Sequence, residues 1–218
     1  VYTNVLKNWA QLIPHVIPVL FTLETDPELL ELAAALGWTL LDVPKYNEQK
    51  TPYLKPMLKT VISKFKSHFY GYCNGDILFT ADLYYTLTQI KEDSARLGST
   101  LVIGQRSNIL LYDRLIFTLG KVRQIYKEES ELFRIDAEDY FFVSGAFSLW
   151  DHLKDIVIGR PGYDNYIVRE FLRSPAAKVV DATETLPAVH QTDADGNFAG
   201  RESTGAKFNI KLIGEHYR

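Results

Sequence analysis

A single cysteine, Cys73, and a single methionine stand in a chain of 218 residues. One thiol excludes an intrachain disulfide and any zinc or iron–sulfur site built from several cysteines. Its place in an apolar run argues for an inert side chain. Charge of neither sign dominates, with 24 Lys and Arg against 27 Asp and Glu and no basic block. A protein held to nucleic acid mainly through phosphates wants a basic face, so no nucleic-acid partner is expected. Long apolar runs are missing as well. Val16–Thr22 falls far short of the roughly 18–20 residues of a membrane span, and there is no signal peptide with a basic start. No Asn-x-Ser/Thr acceptor for glycosylation occurs. Because the chain opens at Val1, we expect a processed chain or an excised catalytic domain, any membrane anchor lying outside this sequence. Neither a Gly-x-x-x-x-Gly-Lys-Ser/Thr loop nor a Gly-x-Gly-x-x-Gly turn follows the first strand, so NTPase and dinucleotide-dehydrogenase readings lose their best signals. Ser144-Gly145 is only half of a Gly-x-Ser-x-Gly nucleophile elbow.

What remains is a chain that can bury a full core, with 46% hydrophobic and 23% charged residues, and an aromatic share of 13%. Aromatics build cores, but they also line sugar and nucleobase pockets. Short apolar runs alternate with helical periodicity. Val16–Thr22, Trp38–Val43, Phe69–Cys73, Ile77–Phe79, Thr100–Gly104, Tyr140–Val143 and Lys178–Ala182 read as strands. Between them, Val1–Ile13, Glu28–Leu36, Tyr53–Lys66, Leu83–Leu97 and Tyr163–Leu172 read as helices, and Leu149–Asp155 as a short one. Asp26-Pro27 opens the second of these and Gly37 closes it. The alternation predicts an α/β fold, one domain over 1–218 with a mostly parallel central sheet flanked by helices. Residues 16–190 form its core, and 191–218, polar and rich in Gly, Thr and Asp, form a tail or an active-site loop.

Ligands of such sheets sit beyond the carboxyl ends of strands, and three polar groups fall there. Asn74-Gly75-Asp76 lies between two apolar strand segments. Asp76 on that rigid frame suits a hard divalent cation, with Gly75 letting a ligand approach the backbone. Asn-Gly is also a strong hairpin signal, and local spacing leaves the two readings even. Asp164, in Gly159–Asn165, begins a helix. Its carboxylate either caps that helix or complements its dipole, capping being the reading that the residues alone favour, or serves as a general base toward a hydroxyl. His190 follows a strand-like stretch. A lone histidine is more often a satisfied core or surface residue, and this one matters only if the fold brings it beside Asp76. An imidazole with a carboxylate suits Mn²⁺ better than Mg²⁺. The lysines of Tyr53–Lys66 read as a solvated helix face, with Lys59 in reach of a diphosphate.

Together these pieces resemble the GT-A glycosyltransferases, the nucleotide-diphospho-sugar transferase superfamily. The likeness rests on Pro18–Thr22 as the first strand, Asn74-Gly75-Asp76 in the place of the family's Asp-x-Asp, Val157–Val168 as the acceptor segment, and His190 near the C-terminal end. It departs where Asn74 replaces the first acid. The resemblance implies a Rossmann-like GT-A domain that transfers a sugar, with inversion, from a nucleotide diphosphate sugar such as a UDP-sugar to a hydroxyl of a glycan or other acceptor. In a eukaryote it implies the Golgi or ER lumen. It implies Mn²⁺ (or Mg²⁺) on Asp76 and His190 and donor contacts from Phe21, Thr22, Tyr46, Lys59, Asn74, Asp76 and Arg106. Asp164 becomes the base, and Ser144, Gly145, Trp150, Tyr163 and Asn165 become the acceptor pocket. Asp193–Thr204 would close over the donor. Phe69, Tyr70, Phe79, Phe141 and Phe142 are then core, while Tyr46, Tyr72, Phe147, Trp150 and Tyr163 face nucleotide or sugar. The alternatives are a nucleotidyltransferase making sugar nucleotides, although Leu23–Glu28 lacks its Gly-rich basic loop, and a catalytically silent carbohydrate-binding domain on the same fold.

Overall fold

Asp26, Pro27 and Gly37 bracket a helix as their chemistry requires. In the computed structural model of the chain, the Asp26 carboxylate accepts the Glu28 N–H at 2.9 Å, Pro27 takes the first helical position, and Gly37 leaves the helix at φ +82°. The structure describes residues 1–23, 26–97, 99–110, 115–135, 137–144, 151–192 and 203–214. Helices among them are α1 (Tyr2–Ala10), α2 (Pro27–Ala35), α3 (Leu54–Lys64), α4 (Asp82–Leu97), α5 (Leu119–Glu128), α6 (Tyr163–Arg173) and α7 (Phe208–Ile213). Strands are β1 (Val19–Thr22), β2 (Thr39–Asp42), β3 (Phe69–Cys73), β4 (Ile77–Phe79), β5 (Ser99–Ile103), β6 (Ser107–Leu110), β7 (Glu131–Leu132), β8 (Tyr140–Ser144), β9 (Ala177–Asp181) and β10 (Ala188–Thr192).

The chain is α/β, but its sheets are mixed, which corrects the expectation of one mostly parallel sheet. β1 and β2 pair in parallel as a sheet of two. A second sheet runs β3-β8-β5-β9, with β8 antiparallel to both neighbours and β5 parallel to β9. A third runs β4-β10-β6-β7, with β10 parallel to β6 and the other two pairings antiparallel. Apolar runs announce burial, and they carry no information about strand direction. Gly71 permits the β3–β8 pairing at this step: a Cβ there would run into the ring of its partner Phe142.

Strand alternation divides the core. Leu101, Ile103, Phe141 and Val143 point to one side, where Leu54 and Leu58 of α3 and Tyr163, Ile167 and Phe171 of α6 cover them. Val102 and Tyr140 point to the other side, packing with Ile77, Phe79 and Ala188 of the third sheet. Leu78 and Val189 then face Val5 and Leu6 of α1, Ala33 of α2 and Val122 and Ile125 of α5. Strands buried on both faces read as continuous apolar runs, as YFFV and ILF do.

Two buried asparagines finish what the ladders leave open. Asn8 of α1 accepts the Phe79 N–H at 2.9 Å and donates to the Phe79 carbonyl at 3.0 Å, while Trp9 donates to the Ile77 carbonyl at 3.0 Å. The side chains of α1 thus satisfy an edge of β4 as a neighbouring strand would. Asn209 of α7 repeats the device on Val157, accepting its N–H and donating to its carbonyl, both at 2.9 Å. It also reaches the Arg160 carbonyl at 3.1 Å and so pins the turn that precedes α6. The expected polar tail therefore holds structure at both ends: Gln191 and Thr192 finish β10, and 208–213 form α7. No helix among the described residues is long and apolar enough to cross a membrane.

Candidate functional site

Asn74-Gly75-Asp76 is not a hairpin. β3 before it pairs with β8, and β4 after it pairs with β10, so the turn carries the chain from one four-stranded sheet to another. Gly75 does not owe its place to crowding, since a Cβ there would meet Tyr2 at an ordinary 3.6 Å.

The turn places Asp76 beside β10. Gln191 donates to the Asp76 carbonyl through both its backbone N–H and its side-chain amide, each at 3.2 Å. Asn4 of α1 donates to the Gln191 side-chain oxygen at 2.8 Å. These bonds fix the backbone of Asp76 against β10, whose His190 sits opposite Ile77 in the register. His190 Nε2 then stands 3.1 Å from Asp76 Oδ2, across 114 residues of sequence. The histidine side chain is 4% exposed and the aspartate 34%. Asp76 Oδ1 and His190 Nδ1 are buried without a hydrogen-bond partner among the described residues. An orphaned buried polar atom costs about 1–3 kcal/mol, and such atoms in a native fold point to an absent water, ion or ligand. A carboxylate oxygen on a turn tied to β10 and an imidazole nitrogen on that strand fit a divalent cation of the manganese type. No group of three or more His, Cys, Asp or Glu side chains suited to a metal lies among the described residues. Such a cation would draw its remaining ligands from water and substrate, as phosphate-bridging cations commonly do.

Asn74 behaves differently. Its backbone N–H donates to the Asp139 carbonyl at 3.0 Å, extending the β3–β8 ladder by one step. Its side-chain amide donates to Asp139 Oδ1 at 2.6 Å, and its oxygen accepts the hydroxyls of Tyr72 at 2.9 Å and Tyr163 at 3.1 Å. Asp139 Oδ2 in turn pairs with Arg106, both side chains being almost fully buried. Burial pushes the Asp139 carboxyl up from the usual range, with Arg106 pulling against it. Burial also raises the Tyr72 and Tyr163 hydroxyls and the Cys73 thiol well above their ordinary values, so all three stay protonated and uncharged.

Several residues stand elsewhere than expected. Arg106, assigned to phosphate, has its guanidinium inside the protein, bonded to Asp139 and to Asn108 and stacked 4.4 Å over Phe133. The Ser144 hydroxyl is buried and accepts the Thr100 N–H at 2.9 Å, so it is engaged with the neighbouring strand. Tyr163 is buried, edge-on to Tyr72 and Phe141, and Tyr72 stands with it on the core side. Lys59 pairs with Asp151 on the surface. Tyr46 stays 47% exposed at a short bridge to Pro52, its ring open to stacking. Phe79 and Phe141 are buried, and Phe69 and Phe142 pack beside them, as expected of core. Gly145, Phe147, Trp150 and residues 193–202 of the expected loop Asp193–Thr204 lie outside the described residues.

Asp164 and Asn165 lie half-buried in the first turn of α6. The helix cap is Gly162, in the left-handed region at φ +86°, so the capping position is not that of Asp164. The Asp164 Oδ1 accepts the Asn165 N–H at 2.9 Å. Half-buried Thr22 ends β1 and, with Leu40, Leu41, Asp42, Thr60 and Lys64, lines a cleft of about 290 Å³ at the carboxyl ends of the parallel β1–β2 pair. Phe21, half-buried, precedes it on β1. Asp139, Asp42 and Lys64 escaped the sequence reading. Glu138-Asp139 directly ahead of YFFV was the available signal for the first of them, a carboxylate at the mouth of a buried strand.

No protein-family model matches the chain, and no curated protein matches it significantly.

Proposed function

We propose that the chain is a metal-assisted glycosyltransferase of GT-A type, moving a sugar from a nucleotide diphosphate donor to an acceptor hydroxyl. The observation that carries the reading is the pairing of Asp76 with His190 at the crossing between two sheets, each presenting a buried atom without a partner among the described residues. Asp76 and His190 would hold Mn²⁺, which when bound supplies Lewis-acid neutralisation of the charge on the leaving diphosphate. Thr22, Asp42 and Lys64 offer a polar cleft to the nucleoside, with Phe21 beside it on β1, and Tyr46 offers a ring for stacking. Asp164, on the rigid first turn of α6, takes the proton of the acceptor hydroxyl as it attacks the anomeric carbon. A base opposite the leaving group gives inversion, and Asn165 beside it would bind acceptor.

Turnover of a panel of UDP- and GDP-sugars with Mn²⁺ and with EDTA tests the proposal directly. Asp76→Ala should abolish the metal dependence together with the activity, and full activity of that variant at saturating Mn²⁺ would reject the metal role. Asp164→Asn should keep donor binding and lose transfer by about 10²–10⁴-fold. Calorimetry with UDP and Mn²⁺ decides against a silent module, which need bind neither. Formation of UDP-sugar from UTP and a sugar phosphate would instead make the chain a nucleotidyltransferase.

A further inference from the structure

Asn74 is the place where the chain departs from an acidic pair, and its surroundings explain the departure. Three hydrogen bonds give the amide a fixed polarity, its NH₂ toward Asp139 and its oxygen toward the hydroxyls of Tyr72 and Tyr163. Reversing it would set a carbonyl oxygen against a carboxylate. A carboxylate at position 74 would stand within 2.6 Å of another. Only a side chain that donates on one side and accepts on the other satisfies both neighbours. The acid that faces the turn is thus at position 139, one residue before β8, and Arg106 neutralises it from behind. Asn108 and the Phe133 ring hold Arg106 in turn, so the far end of the chain of contacts is anchored. At the near end, Tyr163 opens α6 and Asp164 is the next residue.

We propose that Asp139 is a positioning residue for the transfer step. By orienting the Asn74 amide it fixes the Tyr163 hydroxyl, and with it the first turn of α6 that carries Asp164, relative to Asp76. The kinetic part of this proposal rests on the glycosyl-transfer reading. The hydrogen-bond relay itself does not.

The test is a charge swap measured at one neutral pH. In Asn74→Asp two carboxylates face each other, and in Asp139→Asn the Asn74 amide loses its charged anchor. In the double variant the pair is exchanged. The amide now at position 139 would accept from Arg106 and donate to the carboxylate now at position 74, whose second oxygen would accept both tyrosine hydroxyls. Asn74→Asp should lower kcat by about a hundredfold, the scale of an ångström-sized misplacement. The double variant should recover most of that loss, together with most of the lost thermal stability. Tyr163→Phe keeps the ring and removes the hydroxyl. It should lower kcat about tenfold and raise the acceptor KM, leaving the donor KM near wild type and lowering the melting temperature only by the loss of about one hydrogen bond. Unchanged kinetics in Tyr163→Phe, or a folded double variant no better than Asn74→Asp, would overturn the proposal. A wild type inactive on every nucleotide sugar overturns the transfer reading and the kinetic claim with it. Even then the melting temperatures of the four-member cycle decide whether Asp139 orients Asn74.

Discussion

Asn74 and Asp76 stand two residues apart in one turn, and their side chains live under opposite rules. Asn74 uses both ends of its amide, in three hydrogen bonds. Among the described residues the Asp76 side chain has one hydrogen bond, to His190, and both partners keep a buried atom without one. Saturation makes a hinge point between elements. Incompletion on a rigid frame makes a place for something from outside. The same turn therefore separates what holds the site together from what the site would hold, and substitutions on its two sides should fail in different ways.

The largest loss of stability is expected behind Asn74. Arg106→Met would leave Asp139 buried without its cation, where side-chain exposures are 7% and 10%. Breaking a buried pair on one side costs about 3–5 kcal/mol, measurable as a shift of the denaturant midpoint. A stability within about 1 kcal/mol of wild type would show that Asp139 is content without Arg106. Asn74→Ala is next, at about 2–3 kcal/mol, for three hydrogen bonds of roughly 1 kcal/mol each and two tyrosine hydroxyls left facing a methyl group. Asp76→Ala should cost only about 1 kcal/mol, since it strands His190 Nε2 but also removes an orphaned oxygen. Its signature is the loss of Mn²⁺-dependent thermal stabilisation, which Asn74→Ala should keep in part. Equal stability losses in the two alanine variants would erase the distinction between the two side chains.

How far this contrast could be read from the sequence follows from the range over which each signal acts. Local signals were legible: Asp26, Pro27 and Gly37 mark both ends of α2, and the apolar runs mark β5 and β8. The pairing of Asp76 with His190 was legible only as a condition, because it needs β10 to lie against β4. Asp139 was not legible, for its meaning depends on β8 running antiparallel to β3, which apolar periodicity does not encode. Arg106 shows the reverse error. A cation near a strand end suggested phosphate, and the same location buries it against a carboxylate that the sequence places 33 residues later. Helix α7 was missed because FNIKLI is short and follows a polar stretch. Its Asn209 anchors Val157 by contacts 52 residues apart.

The smallest effect is expected from a carboxylate outside the turn, and it sharpens the comparison by supplying a reference. Asp82 heads α4, accepts the Thr80 hydroxyl at 2.6 Å and pairs with Arg123. Burial alone would raise its carboxyl, but the Thr80 and Arg123 hydrogen bonds prevail and hold it below the usual carboxylate range. A folded value below the unfolded one means that the ionised group stabilises the fold above the unfolded value, and that this contribution disappears as pH falls through the folded one. Asp139 is shifted the other way, so burial there works against the charged form and its contribution weakens as pH rises. Asp82→Asn should therefore lower stability at neutral pH by a small amount that vanishes toward strong acid. Urea midpoints at neutral, mildly acidic and strongly acidic pH measure it. A difference that persists unchanged into strong acid would mean that Asp82 acts through packing, and that its charge is not what Arg123 holds.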